Sequence, residues 1–151
     1  MVTEYVAQTE EDLKGLGFDN IWLSAAKNYK LEKMIGAGSF GQVAKARCIV
    51  SNKIVAIKLI HDINQNEYNY VKIFREMRLL KMMSQPNGDV PVTKLIDLFT
   101  AAGDSKPSYF IVMEWMETDL AYLLKTKSSL LTQESAELLF YNSLKALFYI
   151  H

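Results

Sequence analysis

The first feature of this sequence that suggests chemistry is a cluster of glycines followed by a valine. Gly36, Gly38, Gly41 and Val43 fit the pattern G-x-G-x-x-G-x-V. Glycines let a backbone turn sharply and approach a polyphosphate, whose oxygens then accept hydrogen bonds from main-chain N–H groups. The pattern is weak by itself, because a glycine-rich hairpin turn without a ligand has the same composition. It predicts a phosphate-binding loop only if other residues support it.

A dinucleotide-binding loop is the rival interpretation of the same glycines. That fingerprint needs a helix that opens at the third glycine and an acidic residue about 20 positions further on. Asp62 lies near that distance. Residues 42–50, however, alternate as a strand does and include Val43, Ile49 and Val50, whose β-branching disfavours a helix start. We therefore expect the loop to join two strands, which disfavours a dinucleotide site.

A lysine in the following strand is the second candidate. In Val55-Ala56-Ile57-Lys58, a period of two puts Ala56 and Lys58 on the same face. A small residue beside a flat base, with an ammonium beyond it, suits a nucleotide and its phosphates. The alternative is a lysine on the solvated face of a half-buried strand, which is where most lysines lie.

Glu76 is the third candidate, at the edge of the apolar stripe of a predicted helix. An unpaired carboxylate would be costly to bury there, so we expect it to pair with a lysine of the adjacent sheet. Truncating one member of a buried pair costs about 3–5 kcal/mol. The alternative is a rim glutamate that pairs with Lys72 or Arg75 in solvent.

The elements that must position these residues follow from hydrophobic periodicity. The pattern predicts three antiparallel strands, a helix, two more strands and then two helices, which is an α+β fold. On the second strand, Ala44, Ala46, Cys48 and Val50 are expected to share one face. The predicted strands span 29–36, 42–50, 54–60, 92–99 and 109–115, and the predicted helices span 66–84, 120–125 and 133–151, the last capped by Thr132.

Composition narrows the classes of function. The chain has 17 basic and 17 acidic residues among its 151 and a net charge of zero, which argues against binding nucleic acid by bulk electrostatics. Its acidic start lacks a secretory signal, and no stretch approaches the roughly 18 apolar residues of a membrane span. One cysteine, Cys48, excludes an internal disulfide framework, and two histidines leave little for a zinc site. We expect an intracellular protein.

In order and spacing, the glycine loop, the lysine strand and the helical glutamate resemble the N-terminal lobe of a protein kinase. The resemblance covers about residues 29–151. It implies a five-stranded antiparallel sheet with the glutamate-bearing helix, followed by the first helices of the C-terminal lobe. It also implies an ATP site in which Lys58 holds the α- and β-phosphates and Glu76 orients it. By the same resemblance the ATP phosphates are covered by Gly36, Ala37, Gly38, Ser39, Phe40 at the loop tip and Gly41, and the adenine is flanked by Ile35, Val43 and Ala56.

The end of the fifth strand resembles the hinge of this family. The resemblance makes Met113 the gatekeeper, the Glu114 carbonyl and the Met116 N–H the adenine's backbone partners, and Asp119 the acid that contacts the ribose. The run Met116-Glu-Thr-Asp-Leu120 is similar to the hinge of mitogen-activated protein kinases. That similarity implies serine/threonine specificity, signalling, and a cytoplasmic or nuclear location.

A docking groove for linear peptides lies, in that family, between the two helices after the hinge. Leu124, Leu130 and Leu131 are the candidates here, and the alternative is that they are core residues. Protein substrates and docking peptides are thus the partners that the resemblance implies, with neither nucleic acid nor membrane among them.

The resemblance divides the chain into an N-terminal extension (1–28), an N-terminal lobe with its hinge (29–116) and the start of a C-terminal lobe (117–151). No H-R-D-x-x-x-x-N, D-F-G or A-P-E motif is present, so the family's catalytic aspartate and its Mg²⁺ ligands have no counterpart. We expect these residues alone to transfer no phosphate. The chain would then be the ATP-binding half of a kinase or, alternatively, a truncated pseudokinase that binds nucleotide or partners.

The predicted last helix carries a large apolar stripe. Such a stripe is either covered by further chain or serves as an interface, including one for self-association. Its members include Leu139, Phe140, Leu144, Leu147 and Phe148.

Overall fold

The computed structural model describes residues 7–38, 41–60, 67–84, 90–101, 107–127, 129 and 131–151, without the side chains of 67–70. Its five strands are β1 (Tyr29–Gly38), β2 (Gly41–Cys48), β3 (Ile54–Ile60), β4 (Leu95–Ala101) and β5 (Ser108–Glu114). Its helices are α1 (Glu10–Gly15), α2 (Leu23–Ala26), α3 (Glu67–Met83), α4 (Leu120–Thr126) and α5 (Gln133–Ile150), with a 3₁₀ turn at Asn20–Trp22.

The strands form one five-stranded sheet in the order β1-β2-β3-β5-β4. Every neighbouring pair is antiparallel. The α+β fold with an antiparallel sheet, predicted from the periodicity, is therefore confirmed. Thr132 also caps α5 as predicted, since its side chain accepts a hydrogen bond from the Ser135 N–H.

Two of the strand boundaries that differ from the prediction, the end of β2 and the start of β4, follow from hydrogen bonds made at those points. The second strand ends at Cys48 because a turn begins there: the Asn52 N–H donates to the Cys48 carbonyl, and Asn52 has a φ of 56°. Val50 lies in this turn and is 94% exposed, so its predicted place on the same strand face as Ala44 and Ala46 is wrong; those two residues are fully buried.

The fourth strand begins at Leu95 rather than at 92. The N–H of Lys94 donates to the Glu114 side chain and the N–H of Leu95 to the Ser84 hydroxyl. Side chains thus take the main-chain donors that a longer ladder would use.

The sheet has two faces that we distinguish by what covers them. The back face is covered by residues 7–28, which we call the N-terminal segment, and its buried side chains are Ala44, Ala46, Val55, Ile57, Leu59, Phe110 and Val112. The front face lies under α3 and carries Val43, Lys45, Ala56, Lys58, Ile60, Ile111 and Met113. This division follows from the period-two alternation of the strands.

Trp22 joins the N-terminal segment to the back face. Its side chain is fully buried, and its ring makes edge contacts with Phe18 and Phe110 at centroid distances of 5.1 and 5.4 Å. The sequence offered no periodicity from which this position could be predicted.

The two outer strands of the sheet meet through Tyr29. Its hydroxyl donates to Asp97 Oδ2 of β4 at 3.0 Å, and its ring stacks on Phe99 with centroids 6.2 Å apart. The sheet is therefore strongly curved around its back face. Burial, together with the hydrogen bond to the Asp97 carboxylate, raises the pKa of the Tyr29 phenol well above its usual range.

The helices after the sheet are far more exposed. Neither α4 nor α5 contains a buried residue. The predicted apolar stripe of α5 is exposed, as expected: Phe140 is 67% and Phe148 88% exposed. Among the described residues, no helix combines the length and apolar character needed to cross a membrane.

Candidate functional site

The glycine cluster forms a hairpin between β1 and β2. Gly36 pairs with Val43, Ala37 with Gln42 and Gly38 with Gly41 across the antiparallel ladder. The residues after Gly41 are thus extended, as predicted, and the helix required by a dinucleotide fingerprint is not formed there. We call residues 36–43 the glycine hairpin. Ser39 and Phe40 lie outside the described residues.

The fold requires glycine at position 41 of this hairpin but not at positions 36 and 38. Gly41 has a φ of +111°, and a Cβ there would overlap the Leu59 carbonyl oxygen, so only glycine fits. At Gly36 and Gly38, by contrast, an added Cβ would meet no atom within 4 Å. The fold does not require glycine at these two positions, and the space beside them is open to a ligand.

The register of the sheet brings the predicted site residues into neighbouring rows. Val43 lies directly opposite Lys58, which lies opposite Ile111. In the next row, Ala56 lies opposite Met113. Because directly opposed residues share a face, the lysine, the small residue and the predicted gatekeeper all lie on the front face.

Lys58 and Glu76 form an ion pair between β3 and α3. Lys58 Nζ lies 2.6 Å from Glu76 Oε1, so the predicted pairing is confirmed. The predicted burial is wrong: the side chains are 19% and 39% exposed. The helix covers the sheet incompletely, and Phe74, one turn from Met77, is itself exposed. Solvent screening therefore makes this pair a modest source of stability.

Apolar contacts fix the position of α3. Ile73, Met77 and Leu80 pack with Ile60 and Ile111 of the front face. Their helical spacing was evident in the sequence, and Glu76 lies on the same side of the helix. This packing presents the carboxylate to β3.

The predicted hinge residues are placed as follows. Glu114 closes β5, its N–H donating to the Lys94 carbonyl and its carboxylate accepting from the Lys94 N–H. Met116 is exposed. Asp119 accepts a hydrogen bond from the Tyr122 N–H at 2.7 Å and so caps α4. Ile35 is half-exposed on β1.

Two residues beside the hinge were not predicted. The ammonium of Lys45 lies 4.8 Å from the ring centroid of Trp115, a cation–π contact between β2 and the segment after β5. The Trp115 Nε1–H also donates to Glu117 Oε1 at 2.8 Å. No sequence signal indicates the contact, because it joins residues that only the register brings together.

Of the candidates for a docking groove, Leu124 is exposed and Leu131 half-buried, and Leu130 lies outside the described residues. Leu124 is thus not a core residue. Within the described ranges, no group of three or more His, Cys, Asp or Glu side chains is placed to hold a metal ion.

Comparison with known proteins gives a consistent result. The sequence model of the family described as "Protein kinase domain" matches residues 29–151. The chain is 38% identical over 126 residues to mitogen-activated protein kinase 10 of Oryza sativa subsp. japonica and 36% identical over 126 residues to mitogen-activated protein kinase 20 of Arabidopsis thaliana. It is 37% identical over 133 residues to mitogen-activated protein kinase 12 of Danio rerio.

These matches cover most of this chain but little of the relatives. They span 83% of the chain and 20% of each plant protein, and 87% of the chain and 35% of the zebrafish protein. The resemblance read from the glycine hairpin, Lys58 and Glu76 is therefore confirmed, and the chain belongs to the protein kinase family, with mitogen-activated protein kinases among its relatives.

Proposed function

We propose that this chain is the ATP-binding part of a serine/threonine protein kinase of the mitogen-activated type. The observation that carries the proposal is the 2.6 Å Lys58–Glu76 pair, on the sheet face that the glycine hairpin borders. The names of the relatives support the kinase type.

In this proposal each part of the hairpin and sheet has a stated role. Main-chain N–H groups of the glycine hairpin donate to the ATP phosphates. The Lys58 ammonium binds the α- and β-phosphates, and Glu76 holds it in place. A kinase that uses these groups transfers the γ-phosphoryl to a serine or threonine hydroxyl, chiefly by positioning the reactants and stabilising charge.

The adenine would lie between the hairpin and the hinge. Ala56 and Met113 face each other across the β3–β5 ladder, which leaves a small side chain beside the base. Ile35 and Val43 would flank it from the hairpin side. The Glu114 carbonyl and the Met116 N–H are the proposed backbone partners, and Asp119 the proposed ribose contact in addition to its capping of α4.

Magnesium belongs to the same family chemistry, in which it neutralises charge on the phosphates. The motifs whose asparagine and aspartate hold it in the family are not among these 151 residues. We therefore propose that the 151 residues as a separate polypeptide bind nucleotide without transferring phosphate. Protein substrates and docking peptides are proposed partners of the longer kinase.

The test is thermal unfolding of the 151-residue chain with and without Mg-ATP. A ligand at about 100 times its Kd adds about 2.7 kcal/mol to stability, so we expect Tm to rise by several degrees. Lys58→Met should abolish the rise. Lys30→Met, which alters an exposed lysine of β1, should keep it and is the matched control.

Two results would contradict the proposal. One is a wild-type chain whose Tm does not respond to Mg-ATP, and the other is an equal rise in Lys58→Met. Transfer of radiolabelled phosphate to a generic protein substrate should stay at background; robust transfer would refute the proposed inactivity of the 151 residues.

A further inference from the structure

The return limb of the glycine hairpin is hydrogen-bonded to the N-terminal segment. The indole Nε1–H of Trp22 donates to Gln42 Oε1 at 2.7 Å. The Gln42 amide in turn donates from Nε2 to Asp19 Oδ2 at 3.4 Å. Gln42 therefore links the hairpin to residues 20 and 23 positions earlier in the chain.

Gln42 lies in the hairpin between two residues of the candidate site. It follows Gly41 and precedes Val43, and it pairs with Ala37 on one side and with Leu59 on the other. Leu59 belongs to the back face, so the Gln42 side chain points away from the front face and toward the N-terminal segment. The back side of the hairpin is thus hydrogen-bonded to the N-terminal segment, whereas the space beside Gly36 and Gly38 is open.

The donor in this contact is held rigidly. Trp22 is fully buried, and its ring is fixed by edge contacts with Phe18 and Phe110. The indole cannot turn without opening the core of the back face, and a buried indole N–H that loses its acceptor is costly. The Trp22 indole is therefore a rigidly held hydrogen-bond donor to the Gln42 side chain.

We propose that Gln42 is a positioning residue through which the N-terminal segment fixes the glycine hairpin. The hydrogen bonds of Gln42 with Trp22 and Asp19, which we call the tether, keep the limb that contains Gly41 and Val43 in its place beside Lys58. It lowers the number of hairpin conformations that a nucleoside triphosphate must order on binding. The tether stands on its own geometry, and its effect on nucleotide affinity rests on the proposed function.

The chain offers a matched control in Gln8, a second glutamine that ties the N-terminal segment to the sheet. Gln8 Nε2 donates to the Leu31 carbonyl at 3.0 Å, and the Leu31 N–H donates to Gln8 Oε1 at 2.7 Å. Leu31 pairs with Ala46, well away from the glycine hairpin. Gln8 and Gln42 thus each contribute two hydrogen bonds between the N-terminal segment and the β1–β2 strands, at different places along those strands.

The experiment compares Gln42→Met with Gln8→Met in the 151-residue chain, since methionine keeps the length of glutamine and removes its hydrogen bonds. Amide hydrogen exchange is measured without nucleotide for residues 36–38 and 41–43, and affinity is measured with a fluorescent ATP analogue. For Gln42→Met we expect about tenfold faster exchange in the hairpin and about three- to tenfold weaker binding. For Gln8→Met we expect less than twofold change in both, with a similar fall in Tm.

A double variant tests that Gln42 acts through the indole. In a Trp22→Phe background, which keeps an aromatic ring but lacks the N–H donor, Gln42→Met should change hairpin exchange less than twofold. Equal effects of Gln42→Met and Gln8→Met on the hairpin, or a full effect of Gln42→Met without the indole, would overturn the proposal. Exchange that behaves as expected in a chain that binds no ATP analogue would support the tether and refute the proposed function instead.

Discussion

The two faces of the sheet are built from the same strands but are stabilised in different ways. The back face is closed by fully buried side chains of the N-terminal segment and by a chain of aromatic contacts from Phe18 through Trp22 to Phe110. Between the front face and α3, the described side chains that are buried are Ile60, Leu80 and Ile111. The contact of α3 with the sheet also includes partly buried side chains and the Lys58–Glu76 ion pair.

This difference shows how one sheet serves two purposes. The back face buries enough apolar surface to hold the strands together, since burial contributes roughly 25 cal/mol per Å². The front face is then free to carry polar groups and open space. A helix held by few buried contacts also costs less to displace than a segment sealed into a core. Stability and the candidate site are thus separated across the thickness of one sheet.

The largest expected loss of stability comes from a substitution that disrupts the back face. Trp22→Ala removes a fully buried ring and its hydrogen bond to Gln42, and we expect it to lower the free energy of unfolding by about 3–5 kcal/mol. Phe74→Ala on α3, where the ring is 55% exposed, should cost under about 1.5 kcal/mol. Urea unfolding measures both, and equal losses would contradict the contrast between the faces.

A smaller effect is expected at Tyr29, which closes the curve of the sheet. Tyr29→Phe loses the hydrogen bond to Asp97, and we expect a cost of about 1 kcal/mol at pH 7.

The same substitution should change the pH dependence of stability. Burial raises the pKa of the folded Tyr29 phenol above that of the unfolded chain. The protonated Tyr29 phenol therefore makes its full contribution to the free energy of unfolding below about pH 10, which is its pKa in the unfolded chain. This contribution is lost as pH rises above that value, because the phenol then loses its proton in the unfolded chain before it does so in the folded one. The wild-type free energy of unfolding should fall by up to about 1.4 kcal/mol per pH unit more steeply than that of Tyr29→Phe. Denaturant unfolding between pH 7 and 11 checks this, and parallel curves would contradict it.

The smallest effect on stability is expected on the front face, at Glu76. Because the Lys58–Glu76 pair is partly exposed, Glu76→Gln should change the free energy of unfolding by less than about 1 kcal/mol. Glu32→Gln is the matched control, since Glu32 Oε1 pairs with Arg47 Nε at 3.0 Å and is similarly exposed. Both variants should unfold alike, but only Glu76→Gln should reduce the Tm rise with Mg-ATP. A loss of 3–5 kcal/mol at Glu76 would show that the pair behaves as a buried one.

The sequence was sufficient to predict those parts that depend on local pattern. The alternation of β2 and β3 and the helical spacing of Ile73, Met77 and Leu80 predicted the elements, and their order brought Lys58 and Glu76 together. The roles of the hairpin and hinge residues in binding ATP remain predictions, and Ser39 and Phe40 lie outside the described residues.

The remaining features depend on contacts between distant parts of the chain. Trp22 lies in a segment without periodicity, so nothing local indicates that it packs against Phe110. Val50 continued the alternation of β2, but the turn at Asn52 ended the strand first. The exposure of Glu76 depends on how much of the sheet α3 covers, which spacing along a helix does not report.

The match to the kinase family begins at Tyr29, but the aromatic contacts that close the back face include Phe18 and Trp22, which precede it. A polypeptide begun at Tyr29 would leave Phe110 and its apolar neighbours facing water, a surface of the kind that makes protein copies stick to one another. Anyone who produces this sheet for crystallisation or screening should keep residues 7–28, because they cover its apolar back face.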